Sequence, residues 1–125
     1  MGWTLRNLRD VEDVAPKYGF GEIGEARFPR GDLGLEGTGL AHHRLKPGMR
    51  QGFAHRHEAA EEVHVVIAGG GTVTLDGEEV ELRPMDALRV SPRVTRIFAA
   101  GPEGLEYLVF GPHVEGDGEM LPADG

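Results

Sequence analysis

Short β-like runs closed by turn residues recur every eight to twelve positions between Gly39 and Phe110, and no stretch keeps a helical period. That rhythm constrains the fold more than any other feature, because strands this short bury their apolar faces only by closing into a sandwich or barrel. GLAHHRL (39–45) reads as a strand, KPGM as a turn and GFAHRH (52–57) as a second extended piece. EVHVVIA (62–68) is β-branched and apolar on both faces, the signature of a central strand. TVTL and EEVEL flank Asp76-Gly77, where both turn positions of a type I′ hairpin need positive φ. That turn sets Val73 opposite Val80 and Leu75 opposite Glu78. ALRV and TRIFAA follow as strands on either side of Ser91-Pro92-Arg93, and a turn at Gly101–Gly104 precedes a last strand, LEYLVF. The expected class is all-β.

Twenty glycines and eight prolines in 125 residues supply the turns, and the length suits one domain with its own core. Three parts are expected: an arm with short strands (1–38), a barrel (39–110) and a loosely held tail (111–125). Zero cysteines remove thiolate catalysis, cysteine-ligated zinc and disulfides together. A formal net charge of -8 argues against a nucleic-acid groove, which needs clustered positive charge. With no secretory h-region and no apolar run of membrane-spanning length, a cytoplasmic protein without a membrane partner is expected.

The chemistry concentrates in HRHEAAEEVH (55–64). His55 and His57, two apart in an extended segment, share one face, and on the next strand Glu62 and His64 share another. Glu58 and Glu61 read as solvated turn residues and His113 as exposed. Tyr107 reads as packing, and Phe53, Phe98, Phe110 and Trp3 as core or interface. Val63, Val65 and Ile67 call for cover on the second face of their strand, from the arm or from a dimer. Alternation turns one of His42 and His43 inward without saying which.

The spacing His55-x-His57-x4-Glu62-x6-Gly69 resembles the first motif of the cupin superfamily, and LDGEEVELRPMDALRVSP is similar to the approach to the second. The resemblance covers roughly residues 39–110. It implies a double-stranded β-helix, that is, a jelly-roll barrel, usually a homodimer, with a pocket in its mouth. In metal-bearing members two histidines, the glutamate and a further histidine hold a divalent transition metal. Carried over, His55, His57 and Glu62 match, a donor set suited to Fe, Mn, Ni, Cu or Zn. Arg96 stands where the further histidine belongs, Arg93 where the family has a glycine, Ala100 where it often has an asparagine, and Met85 replaces the glycine after Pro84.

An arginine has donors only and stays protonated. Two unit positive charges about 4 Å apart cost roughly 4 kcal/mol at an effective dielectric of ~20. Arg96 therefore favours a metal-free pocket for an anionic or polar small molecule, lined by His55, His57, Glu62, His64 and Arg96, over a metal site. The enzymatic alternatives are a metal-dependent dioxygenase or isomerase built on His55, His57 and Glu62, and a metal-free epimerase in which a histidine is the general base and Arg96 steadies the anion. A third class is a structural dimer with a vestigial site.

Overall fold

Two long strands carry the architecture. β4 (Glu62–Leu75) and β7 (Arg96–Gly111) pair antiparallel from Val63↔Phe110 to Leu75↔Arg96. The computed structural model describes residues 2–123. Around the central pair, β1 (Gly24–Arg27) adds to β2 (Gly39–Leu45), β2 adds to the second half of β7, and β3 (Ala54–His57) meets the start of β7. β5 (Glu78–Leu82) and β6 (Ala87–Val90) pair with the two ends of β4, and β8 (Gly118–Leu121) pairs with β3. Every ladder is antiparallel, and the eight strands curl into a double-stranded β-helix barrel. Among the described residues, the one α-helical turn is α1 (Arg30–Leu33).

Sequence reading divides β4 and β7 into two strands each, and glycine explains why they are single bent strands. Between Gly69↔Leu105 and Gly71↔Ala100, the single residue Gly70 faces residues 101–104, so the expected turn at Gly101–Gly104 survives as a bulge in an unbroken strand. Such a bulge bends the strand and increases its twist, which lets one strand serve both halves of a barrel. Gly69 has a φ of +71°, and a Cβ there would strike the carbonyl oxygen of Gly104. A Cβ on Gly71 would strike that of Ala99.

The Asp76-Gly77 hairpin forms as read, with φ of 48° and 87° and the register Val73↔Val80, Leu75↔Glu78. Val73 and Leu82 enter the core beside Val66, Phe98, Leu105 and Tyr107, while Leu75 and Val80 pack at its edge. Cover for the outer face of β4 is incomplete. Val63 and Val65 are half-buried, whereas Ile67 and Phe110 are 42% and 40% exposed, and Trp3 stands clear of the core at 72%.

The segment from Gly111 departs most from expectation. Instead of a loose tail it forms β8, in register with β3 from Ala54↔Leu121 to His57↔Gly118. Four residues rich in Gly and Glu carry little strand signal, and what orders them is the open edge of β3. Residues 1, 124 and 125 lie outside the described residues.

A candidate functional site in the barrel lumen

β3 turns into β4 through residues 58–61, and a single aspartate holds that corner. Asp117, just before β8, accepts from the backbone N–H of Ala59 through Oδ1 (2.8 Å) and of Ala60 through Oδ2 (3.0 Å). The Arg93 N–H donates to the His57 carbonyl at 2.6 Å from the other side. These ties fix where the His55 and His57 side chains of β3 meet Glu62 at the head of β4.

Glu62 is gripped by Arg96. The Arg96 Nη2 donates to Glu62 Oε1 at 2.7 Å and its Nη1 to the Val94 carbonyl at 2.8 Å, and the Arg96 side chain is fully buried against 17% exposure for Glu62. Removing one member of such a pair leaves an uncompensated charge, a cost of about 3–5 kcal/mol. Arg96 therefore lies behind Glu62, outside the cavity wall, with its charge already matched. The lumen is a cavity of about 520 Å³, whose wall includes His43, His55, His57, Glu62 and His64.

His57 sits between two carboxylates. Its Nε2 is 3.3 Å from Glu62 Oε2, and its Nδ1 is 3.3 Å from Asp117 Oδ2. Burial works to raise the Asp117 carboxyl, but the Ala60 and Ala59 amides and His57 outweigh it and hold the group below its ordinary value. With Asp117 beside Nδ1, the ring is set so that Nε2 faces Glu62. His64 Nε2 lies 3.8 Å from Glu62 Oε1, and its ring packs on Phe98 and Tyr107 at centroid distances of 5.0 and 5.9 Å.

Burial makes the other luminal imidazoles weak bases. His55 and His64 are pushed down to about 3, first by desolvation and then by the Arg96 charge. His43 is pushed down to about 4, by desolvation and then by His42. At neutral pH these three rings are uncharged, each with a lone pair to offer. The Tyr107 phenol is pushed up by burial and then by the Glu62 charge, so it stays protonated. Its oxygen accepts from Gln51 Nε2 at 3.1 Å, while Gln51 Oε1 accepts from the Phe98 N–H at 3.0 Å.

The register of β2 on β7 settles the choice between His42 and His43. His43 pairs with Tyr107 and stacks on it inside the barrel at 5.2 Å, while His42 turns to the outer face and meets Glu106 at 2.6 Å. Glu58 and Glu61 are exposed and pair with Arg93 and Arg89, and His113 is exposed at the cavity mouth. Sequence reasoning missed Asp117 and Gln51. A lone aspartate among glycines and a glutamine in a turn carry no periodic signal.

Three donors fit a metal. Among the described residues, one ring nitrogen each from His55 and His57 and one Glu62 oxygen lie within 4.8 Å of one another. Two donors bound side by side to one ion at ~2.1 Å each stand roughly 3 Å apart, close to the 3.3 Å between His57 Nε2 and Glu62 Oε2. Arg96 occupies the other oxygen, Oε1, and leaves Oε2 free.

The strands thus form a jelly-roll barrel with a polar cluster facing its lumen. The family model for the cupin domain matches residues 41–111, more than half of the chain, and the chain belongs to the cupin family. An uncharacterized protein of Methanocaldococcus jannaschii, MJ1618, is 27% identical over 66 residues, covering 43% of this chain and about half (53%) of that relative. A cupin protein from Bacteroides fragilis, BF4112, superposes with a TM-score of 0.73 at 22% identity, covering 100% of this chain and 96% of the other. The polyketide cyclase RemF from Streptomyces resistomycificus superposes with a TM-score of 0.74 at 19% identity, covering 94% and 84%. At these identities the likeness establishes the fold alone.

Proposed function

We propose that the barrel lumen binds a small organic molecule at a centre made by His55, His57 and Glu62, and that this centre takes a divalent transition metal. The observation that carries the reading is the convergence of the three donor atoms within 4.8 Å at a cavity wall. Two neutral imidazoles and one carboxylate are the facial set that suits Fe, Mn, Ni, Cu or Zn and leaves positions for a ligand. When bound, the ion supplies Lewis-acid polarisation of a ligand oxygen. His55 contributes an uncharged ring. Asp117 orients His57, Arg96 holds Glu62 in place, and Phe98 and Tyr107 wall off solvent on the far side of His64.

A second reading keeps the lumen free of metal, and the Arg96–Glu62 pair favours it, because that pair is electrically neutral without an ion. His55 and His57 then hydrogen-bond the ligand directly. Because Arg96 is fully buried and paired with Glu62, it offers no donor to a luminal anion.

Titration with Co²⁺ separates the readings. The metal reading expects saturable binding of about one ion per chain, with visible absorption of a nitrogen-ligated ion and an affinity at least tenfold weaker in His55→Ala. Absence of saturable binding, or an unchanged affinity in His55→Ala, favours the metal-free lumen.

A further inference from the structure

Beside the lumen lies a second cavity of about 440 Å³, a groove partly open to solvent between the N-terminal arm and β1 and β2. The two cavities share Phe28, His43, Gln51, Phe53 and Met120 in their walls, so they adjoin across a common partition. Their chemistry differs sharply. The second is walled by Val14, Ala15, Phe20, Ile23 and Leu45 together with the aromatic partition, and its only charged side chains are Glu25 and Arg44. Glu25 pairs with both Arg44 (3.2 Å) and Arg27 (2.5 Å), so its carboxylate is matched, and the Arg44 side chain is largely exposed to water. Phe20 packs on Phe53 at 5.5 Å and Phe53 on His55 at 6.4 Å, an aromatic path from the second cavity to the polar centre.

Resting on the reading of the lumen as a small-molecule site, we propose that the adjoining cavity is its apolar annex and that the ligand is an amphiphile. A compact oxygen-bearing head sits at His55, His57 and Glu62, and an uncharged aromatic or alkyl body reaches past the shared partition of Phe28, His43, Gln51, Phe53 and Met120 into the annex. The physical case is the contrast across the partition. The apolar wall gains about 0.8 kcal/mol for each methylene that it takes out of water. The partition supplies limited hydrogen bonding: Gln51 has one amide N–H committed to Tyr107, and His43 is an uncharged ring stacked on the same tyrosine. A ligand that is polar throughout, such as a sugar or a phosphorylated sugar, satisfies the lumen and wastes the annex.

The test is a homologous series, catechol, 4-methylcatechol, 4-propylcatechol and 4-pentylcatechol, titrated calorimetrically into the full chain both loaded with Zn²⁺ and stripped with a chelator. The annex predicts that affinity rises about fourfold per methylene and that the heat-capacity change becomes more negative along the series. Ala26→Phe, which fills the annex from β1, is expected to abolish the gain while leaving catechol itself unchanged. The wild-type series stands on its own if that variant does not fold. Catechol binding with an affinity flat in tail length overturns the annex and leaves the luminal site intact. No binding of any member, with or without Zn²⁺, overturns the luminal site and the annex together.

Discussion

Residues 55–69 and residues 83–100 form the two sides of the site, and they relate to the family pattern in opposite ways. The first stretch has every family position filled, and His55, His57 and Glu62 converge. The second departs from the family pattern at four places, Met85, Arg93, Arg96 and Ala100, yet its backbone keeps the path the family residues require. Met85 and Arg93 stand where the family has glycine, and they hold φ of 73° and 70°. Arg96 stands in the place of a histidine, points inward as alternation demands, and spends its charge on Glu62 instead of on a ligand. Backbone path and chemical role are separable: turns and register shape the barrel while one position beside the centre changes from a donor atom to a clamp.

The largest effect is expected where the two stretches touch. Arg96→Met removes the buried clamp and leaves Glu62 unpaired, so urea denaturation at pH 7 should show a loss of about 3–5 kcal/mol. A loss below 1 kcal/mol would mean that Arg96 does not hold the site together. Arg96→His sharpens the same comparison by restoring the family residue, with Zn²⁺ affinity expected to rise at least tenfold.

Acid tests the first stretch. His55 and His64, held at about 3, and His43, at about 4, bind protons more weakly in the folded chain than at the ordinary histidine value of 6.5. Between that value and about pH 3–4 the unfolded chain carries the extra protons, so stability is full above pH 6.5 and falls as pH drops through the window. The expected slope in metal-stripped protein is on the order of 1 kcal/mol per pH unit for each ring. A stability flat from pH 7 to 5 contradicts neutral luminal histidines.

Asp117→Asn is a milder cut. It keeps the size of the side chain, removes the negative charge at His57 Nδ1 and leaves one acceptor oxygen for the two amides of Ala59 and Ala60. Zn²⁺ affinity should fall about tenfold, the usual scale for a group that orients a metal-binding histidine, with a stability loss of about 1 kcal/mol from the amide left without its acceptor. Met85→Gly is expected to be smallest: relief of a left-handed residue that is 82% exposed should stabilise by at most ~1 kcal/mol.

Much of the barrel was legible because its signals are local. Asp76-Gly77 demands its turn, and the alternation in EVHVVIA places Glu62, His64 and Val66 on one face. What was not legible depends on pairing between distant segments. Nothing in GDGEML announces a strand until the edge of β3 is present, so Asp117 stayed hidden with it. His42 and His43 are equivalent until β7 supplies Leu108 and Tyr107 as their partners. The inward turn of Arg96 was readable, but its withdrawal from the cavity wall follows from its contacts with Glu62 and Val94.

Metal content per chain tests the central claim most directly, measured by inductively coupled plasma mass spectrometry on untagged protein, as purified and after incubation with each of Fe²⁺, Mn²⁺, Ni²⁺, Cu²⁺ and Zn²⁺. A stoichiometry near one that is lost in His55→Ala is the result expected of the His55–His57–Glu62 centre. Negligible metal under every condition would contradict it and leave these residues as a metal-free ligand pocket.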